Sequence, residues 1–523
     1  MAPLSEGPTI ALIGFMGAGK TRAGSAIASV LGESWADSDA EIEREIGEPI
    51  TSFFEREGEE RFREVEERVV LELLGRGGVV SLGGGAVESP AVRAALMESY
   101  ACWCRIDESL AWDRASRDGE RPLANDRSAF GRRLAVREPL YEEVSRAILD
   151  SGGEETGLRA AHWIRAAANG GQHVAWATSA SGSYPAVVGP GALKLLAAGT
   201  AITAQNGSSD RRPGRWFAVA DAQAIAAHPG ALEGAEHVIE VAGGEGSKTL
   251  SEAERVLREL ARLGARRDDG IIAFGGGVIG DLAGFCAATY QRGIPVIQAP
   301  TTLVAQVDSA YGGKTGVDLP GAKNYAGAYH MPSAVLADPG YLETLPEREL
   351  AAGFAEVVKT ALLAGGQLWE KVRGFDRLNS GELAGVVFDC ALTKIDVVAA
   401  DERDSGARQQ LNLGHTVGHG IEAAAGFERY RHGEAISLGL LAALRLSGAE
   451  DLRAEVAALL ARAGLPTTLA PEVETDEVMQ AVSRDKKRTS RGIGFVLLET
   501  PGEPKVGQAV DEAMVRSAVE ELR

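Results

Sequence analysis

Three stretches of this chain combine residue types at spacings that can do chemistry. The first is Gly14-Phe-Met-Gly17-Ala-Gly19-Lys20-Thr21, which matches G-x-x-x-x-G-K-[ST] between an apolar run and a helical pattern. In such a loop the backbone N–H groups around Gly17 and Gly19 cradle phosphates. The lysine ammonium reaches the transferred phosphoryl group and the threonine hydroxyl binds Mg²⁺. Asp37 and Asp39 follow a second apolar run. In the functional reading Asp37 serves the metal through water and Asp39 serves an acceptor hydroxyl, with period-two spacing placing both on one side of an extended chain. The alternative is a helix N-cap with a favourable dipole charge. Arg63, Arg114, Arg117, Arg121 and Arg137 offer the charge neutralisation that phosphoryl transfer needs, and 114–121 lies in a Gly/Asp/Asn-rich stretch that reads as a lid. A third apolar run, 78–82, ends in Gly83-Gly84-Gly85, where backbone can approach a substrate.

The second stretch, 271–330, runs strand, glycine turn, helix, strand: Ile271–Phe274, Gly275-Gly276-Gly277, a segment to Tyr290, then Ile294–Gln298. Glycines allow close approach to a pyrophosphate, and the helix N-terminus offers free N–H groups. The alternative for the glycines alone is a tight turn. Arg292, Asp308, Lys314, Lys323 and Asn324 add groups suited to a small anionic substrate. Upstream, the run 216–220 ends at Asp221, where an acid can bond a ribose hydroxyl or close a simple turn. Gly244-Glu245-Gly-Ser-Lys248 precedes an amphipathic helix.

The third stretch holds metal-ligand types. Glu356 sits one turn before Lys359; His415 and His419 are spaced i, i+4 on one helical face; His432 follows. A His/His/Glu set with water suits catalytic Zn²⁺, whereas any one of these histidines alone reads as structural. The chain has 8 His, 43 Arg and 11 Lys, and eight of the lysines (20, 248, 314, 323, 359, 394, 486 and 487) fall in these candidate segments. That placement fits sites needing a compact point charge.

The positioning elements need a long chain. At about 150 residues per domain, 523 residues suggest about three domains, and 45% hydrophobic residues can form sizeable cores. The net charge of −20 argues against nucleic-acid or anionic-membrane partners. No apolar run is long enough to span a bilayer, and the chain enters a strand-like run without a basic leader. Cys102, Cys104, Cys286 and Cys390 lack C-x-x-C spacing and read as reduced thiols in a cytoplasmic protein.

Over about the first 150 residues, GFMGAGKT, DSD, ERFREVE, SLGGGAV, RPL and REPLY occur in the order of the shikimate kinase family, which this part resembles; Ala124 departs from the second Leu common after RPL. The resemblance implies that Asp39, Arg63, Gly84 and Arg137 hold shikimate. It implies that Gly17, Gly19, Lys20, Thr21 and Asp37 handle ATP–Mg²⁺ with Arg114 and the lid arginine Arg121, and that Lys20 and Asp39 are catalytic. GGGVIGD, PTTL, VDSAYGGKTGVD and the Lys323-Asn324 pair closely resemble the 3-dehydroquinate synthase family. That resemblance implies NAD lined by Asp221, Glu245, Lys248, Gly276, Asp281, Thr301, Thr302 and Thr344. Gln223 stands where relatives often carry Asn. It implies Zn²⁺ or Co²⁺ on Glu356, His415 and His432, with His419 as an acid–base group. A heptulosonate phosphate would be held by Asp308, Arg292, Lys314, Lys323, Asn324, Lys359, Lys394, Arg408 and Asn412. Lys486 and Lys487 would close over it. Asp308, Lys314, His419 and Asp404 are the catalytic expectations; Asp404 stands where relatives commonly have Glu.

The expected architecture is α/β throughout: a P-loop kinase domain with a parallel sheet over 1–168, a linker over 169–182, a Rossmann-like NAD-binding half over 183–340, and an α-helical metal- and substrate-binding half over 341–523. The expected activities are phosphorylation of shikimate by ATP and conversion of 3-deoxy-D-arabino-heptulosonate 7-phosphate to 3-dehydroquinate with phosphate release. A homodimer through the second part is a further implication. Competing readings are another sugar-phosphate cyclase, a metal-dependent polyol dehydrogenase, and a fusion whose kinase half only binds and regulates. The cluster Lys314, Lys323, Asn324 and Arg408 disfavours the dehydrogenase, and intact Lys20, Thr21, Asp37 and Asp39 disfavour the last.

Overall fold

The structure is a computed structural model that describes residues 7–117, 126–150, 153–196, 214–320, 322–426, 429–484, 488–489 and 492–523. The chain forms two compact units, Met1–Thr178 with Pro185–Ala201, and Ser179–Tyr184 with Ile202–Arg523.

In the first unit β1 (Ile10–Ile13), β2 (Trp35–Asp37), β3 (Val79–Ser81), β4 (Tyr100–Arg105), β5 (Ala147–Asp150) and β6 (His173–Ser179) pair in parallel in the order β2-β3-β1-β4-β5-β6. Every residue of β1 is buried, as a parallel strand covered on both faces requires. Helices Lys20–Leu31 and Glu154–Gly170 meet at Gly157, where a Cβ would lie 2.7 Å from the Ala23 carbonyl oxygen. The second helix buries Gly157, Ala160, Ala161, Ile164, Ala167 and Ala168, an i, i+3, i+4, i+7 stripe. β1 lies between β3 and β4, at the point where the strand order turns, and its carboxyl end carries the phosphate loop.

The stretch 169–182, expected as a linker, instead carries β6 and the start of β7 (Gly182–Val188). Val174–Ala177 is an apolar run of four buried residues between glycine-rich turns, long enough for a strand covered on both faces.

In the second unit β8 (Trp216–Asp221), β9 (His237–Val241), β10 (Gly270–Gly275), β11 (Val296–Pro300) and β14 (Ala334–Ala337) form a parallel array in the order β9-β8-β10-β11-β14. Helix Gly277–Thr289 buries Ile279, Leu282, Ala283, Cys286 and Ala287 over Phe217, Val219 and Val296. The strand order reverses between β8 and β10, so Asp221 and the triple glycine meet at a topological switch point, the usual place for a ligand crevice in an open α/β sheet. β12 (Lys314–Leu319) and β13 (Ala322–Tyr329) form an antiparallel hairpin.

From Glu347 onward helices dominate. Helix Glu347–Ala364 is buried continuously from Leu350 to Leu363, which makes it the central element of this half. Helices His415–Ala424 and His432–Leu446 approach at glycine. A Cβ on Gly439 would collide with the Gly414 carbonyl, and one on Gly433 with the Ala352 carbonyl. These two glycines bring His432 close to both the His415 helix and the helix that carries Glu356. The α/β class with a helical C-terminal part matches expectation. A feature not expected is an antiparallel sheet of β15 (Arg488–Thr489), β16 (Gly492–Leu498) and β17 (Pro504–Val510). Among the described residues no helix is long and apolar enough to cross a membrane. All four cysteines are buried and unbridged.

Candidate active sites

In the first unit, Gly14, Gly17 and Gly19 have positive φ, and a Cβ on Gly14 would lie 2.5 Å from the Cys104 carbonyl oxygen. The loop can therefore curl under its own backbone. Lys20 Nζ donates to the Phe15 carbonyl at 3.1 Å, and Arg114 Nη1 to the Gly17 carbonyl at 3.1 Å. Thr21 Oγ1 donates to Asp37 Oδ2 at 2.8 Å, which places a hydroxyl and a carboxylate side by side at the loop's end.

Asp39 is not on an extended chain. It lies in the first turn of helix Ser38–Ile46, and Asp37 is that helix's N-cap, accepting the Asp39 N–H at 3.0 Å. The capping alternative for Asp37 is thus realised alongside its contact with Thr21, because a strand-to-helix turn needs an N-cap acceptor. Asp39 still faces the glycine turn. A Cβ on Gly83 would sit 2.8 Å from Asp39 Oδ1 and 2.7 Å from Glu66 Oε1, and the Arg63 guanidinium packs against Gly85. Arg63 pairs with the buried Glu66 at 2.5 Å. Arg137, also buried, pairs with Glu88 at 3.1 Å, and Tyr141 Oη donates to the Gly84 carbonyl at 2.5 Å. Asp39, Arg63 and Arg137 therefore gather with Gly84 around one glycine turn. Arg114 and Arg117 belong to helix Glu108–Arg117, while Arg121 lies outside the described residues. Glu66 and Glu88 went unnoticed in the sequence; Glu66 follows Arg63 by three residues on a helix, a readable signal.

At the second unit's switch point, Asp221 Oδ1 caps the next helix through Gln223 N–H at 2.7 Å and Ala224 N–H at 3.2 Å. Gly276 is the N-cap of helix Gly277–Thr289, with no side chain on its free N–H groups. A Cβ on Gly276 would lie 2.9 Å from Thr302 Cγ2, and one on Gly277 2.9 Å from Ser309 Oγ. Lys248 is buried and pairs with Asp281 at 2.5 Å. Thr301 N–H donates to the Gly275 carbonyl at 2.9 Å. Glu245 lies 3.7 Å from Lys323. Thr344 bonds His228 at 2.9 Å. Gly275 and Gly276 thus pack against Asp221 and Thr302 at the carboxyl ends of the strands.

The metal-type cluster lies on the helices. His415, His419 and His432 present ring nitrogens within 4.8 Å of one another. Glu356 Oε1 lies 3.5 Å from His415 Nε2 and 3.3 Å from His432 Nε2. Both Glu356 oxygens are buried and face partners that can carry charge, Oε1 the two histidines and Oε2 Lys359. Burial opposes the Glu356 charge, yet Lys359 and the histidines hold its carboxyl well below the usual range. Burial pushes His415 well below its ordinary value and keeps it neutral, with Nδ1 3.1 Å from the Leu413 carbonyl. His432 is partly exposed; desolvation opposes its charge, but its contacts with Glu356 and Glu422 push it up to about 10. Glu422, 3.2 Å from His432 Nδ1, was not anticipated; it follows His415 and His419 on the same helical face.

A buried charge chain leads away from Glu356. Lys359 Nζ is 2.5 Å from Glu356 Oε2 and 3.8 Å from Asp308 Oδ1, and Lys394 Nζ is 2.7 Å from the same Asp308 oxygen. Burial resists the Asp308 charge, but Lys359 and Lys394 hold its carboxyl down at about 2. Lys314 pairs with Asp404, whose backbone is left-handed (φ 59) and whose Oδ1 is buried without a partner. Lys323 lies 3.6 Å from Glu422, and Asn324, also left-handed (φ 54), donates its N–H to Asp318.

Three expected anion ligands stand apart from this cluster. Arg408 is 2% exposed, and its guanidinium donates to the carbonyls of Gly312 at 3.2 Å and Glu402 at 2.7 Å. Asn412 donates to the Gln409 carbonyl at 3.0 Å. Arg292 occupies an exposed turn at φ 71, and no hydrogen bond or ion pair among the described residues ties it to the cluster. Lys486 and Lys487 lie outside the described residues.

Comparison with known proteins follows the same division. The shikimate kinase model matches residues 16–167, the 3-dehydroquinate synthase N-terminal model 238–352, and the 3-dehydroquinate synthase C-terminal model 353–488. The 3-dehydroquinate synthase of Symbiobacterium thermophilum is 45% identical over 295 residues, which is 54% of this chain and 82% of that protein. That of Caulobacter vibrioides is 41% identical over 359 residues, 64% of this chain and 95% of that protein. The 2-epi-5-epi-valiolone synthase of Streptomyces hygroscopicus, solved with NAD+ and Zn2+ bound, superposes with a TM-score of 0.58 at 25% identity, over 65% of this chain and 96% of that one. The chain belongs to the 3-dehydroquinate synthase family and carries a shikimate kinase family domain ahead of it, which joins a phosphotransferase and a phosphate-eliminating lyase in one polypeptide.

Proposed function

We propose that the first unit transfers the γ-phosphoryl group of ATP to a hydroxyl of shikimate. Gly17, Gly19 and Lys20 hold the phosphates, with Arg114 bracing the loop and Arg121 adding positive charge to them. Thr21 and Asp37 hold Mg²⁺; their oxygens, 2.8 Å apart, suit a small oxygen-loving cation. Asp39 takes the hydroxyl proton, and Arg63, Gly84 and Arg137 fix the acid. Such a site works by positioning and charge neutralisation.

The second unit converts 3-deoxy-D-arabino-heptulosonate 7-phosphate to 3-dehydroquinate and phosphate. Bound NAD+ and a zinc or cobalt ion supply a reversible hydride acceptor and a Lewis acid for a substrate hydroxyl. Asp221, Glu245, Lys248, Gly276, Asp281, Thr301, Thr302 and Thr344 surround the dinucleotide; the crevice without Cβ atoms at Gly276 and Gly277 fits its pyrophosphate. Glu356, His415 and His432 hold the metal. The fit rests on Glu356 Oε1 lying within 3.5 Å of ring nitrogens of both His415 and His432, with His415 kept neutral by burial.

His419, exposed beside them, exchanges protons with the substrate. Lys314 and Asp404 act as an acid–base pair. Lys323, Asn324, Lys359 and Lys394 orient the anion, joined by Asn412, Arg292, Lys486 and Lys487 on substrate binding. Arg408 acts by fixing the Gly312 turn before Lys314.

The observation that carries this reading is the buried chain Glu356–Lys359–Asp308–Lys394, which joins a cation site to an anion site. A polyol dehydrogenase, whose substrate carries no phosphate, needs no such pair of buried lysines. Two assays on one preparation test both reactions. Lys20→Ala abolishes ADP formation with shikimate and spares phosphate release from the heptulosonate phosphate. His432→Ala does the reverse and lowers the metal content. Loss of both activities in either variant contradicts the assignment.

A further inference from the structure

Glu88 is a carboxylate placed where a carboxylate substrate would have to bind. It ends the turn Ala86–Glu88 that follows the triple glycine. Its Oε1 accepts from Arg137 Nε at 3.1 Å and its Oε2 from Arg137 Nη2 at 3.3 Å, and Oε2 lies 3.5 Å from Arg63 Nη2. Two guanidinium groups thus converge on one acid, the geometry that recognises a carboxylate.

The three partners are unequally held. Arg137 is 4% exposed and lies with its Cζ 5.8 Å from the centroid of the Phe15 ring, so its head group is fixed. Arg63 is shared with Glu66, whose side chain is 4% exposed and cannot leave without stranding a buried charge. Glu88 is 37% exposed. Its backbone is pinned by its N–H to the Gly85 carbonyl at 2.9 Å and by Arg93 on its own carbonyl at 3.1 Å. Only the Glu88 side chain is free to swing into water.

Resting on the reading that the first unit phosphorylates shikimate, we propose that Glu88 is an internal competitor of the substrate. Its carboxylate occupies Arg137 and Arg63 in the empty site, and the acid group of shikimate displaces it. A neutral ligand cannot replace the lost ion pairs and leaves Glu88 in place, whereas an acid exchanges with it. Because the displacement burdens substrate and transition state equally, its removal changes KM and leaves kcat alone.

The test uses the full chain, wild type and Glu88→Gln, with ATP–Mg²⁺, shikimate and shikimate methyl ester. The expected result is a KM for shikimate lowered by about 5- to 10-fold, as for a partly exposed ion pair, with kcat within about twofold. The dissociation constant of the ester, read by calorimetry, stays unchanged. A KM that is unchanged or raised, or acid and ester tightening alike, overturns the competition and makes Glu88 a support for Arg137. A wild-type chain that does not phosphorylate shikimate overturns the kinase reading and this inference with it. A normal affinity for ATP in the variant shows that the unit is folded.

Discussion

Replacing Lys359 by Met tests the buried charge chain and the metal site together. Lys359 is 1% exposed and sits between Glu356 at 2.5 Å and Asp308 at 3.8 Å. At an effective dielectric of about 20, unit charges at these separations attract by about 7 and about 4 kcal/mol. Desolvation of the buried ammonium offsets several kcal/mol of that, and removing one partner of a buried pair costs about 3–5 kcal/mol overall. The loss falls mainly on Glu356, because Asp308 keeps Lys394 at 2.7 Å. Without metal, His432 is the one charged partner left to Glu356 among the described residues. With a divalent ion on those same residues, the missing positive charge is replaced. The assay is differential scanning calorimetry of wild type and Lys359→Met, each with chelator and with excess Zn²⁺. The expected result in chelator is a fall of the second unit's transition by on the order of 10 °C. Zn²⁺ recovers most of that fall. An equal loss in both conditions would make Lys359 a packing residue, and no loss in chelator would refute the electrostatic reasoning outright.

Glu422→Gln should weaken Zn²⁺ affinity by about 10- to 100-fold in competition with a chromophoric chelator, while leaving the fold intact, because Glu422 fixes His432 through Nδ1. An unchanged affinity would remove Glu422 from the site. The four cysteines should resist alkylation in the native chain and all react after unfolding. Burial pushes Cys104 and Cys286 up to about 12 and raises Cys102 and Cys390 as well. At pH 8 a thiol titrating at about 12 is about one part in ten thousand thiolate. Mass spectrometry of the native chain showing prompt labelling of any of the four would contradict that burial.

What the sequence disclosed was set by locality. The phosphate loop, the i, i+4 pair His415 and His419, and the Glu356–Lys359 turn are short patterns whose geometry follows from the element that carries them. The approach of His432 to Glu356 was legible only through the family resemblance, because it depends on close contacts at Gly433 and Gly439 between helices far apart in the chain. Lys359, Asp308 and Lys394 could be named as anion ligands, but their mutual pairing joins residues 86 positions apart. Arg408 was expected on the substrate's anion and is a buried brace on Gly312. Asp37 and Asp39 were read on a strand, whereas the turn into the helix begins at Asp37 itself. β6 was hidden because four apolar residues between glycine-rich turns resemble a gap in a helical pattern.

The reaction proposed for the second unit is a redox-neutral phosphate elimination on a metal held by Glu356, His415 and His432. Its most direct test is simultaneous measurement of phosphate and NADH during turnover of 3-deoxy-D-arabino-heptulosonate 7-phosphate, with NAD+ and Zn²⁺ supplied and again after chelation. Phosphate is expected in stoichiometric amount with no net NADH, and its release is lost on chelation and restored by metal. Phosphate release that survives complete metal removal, or steady NADH accumulation without phosphate, would contradict it.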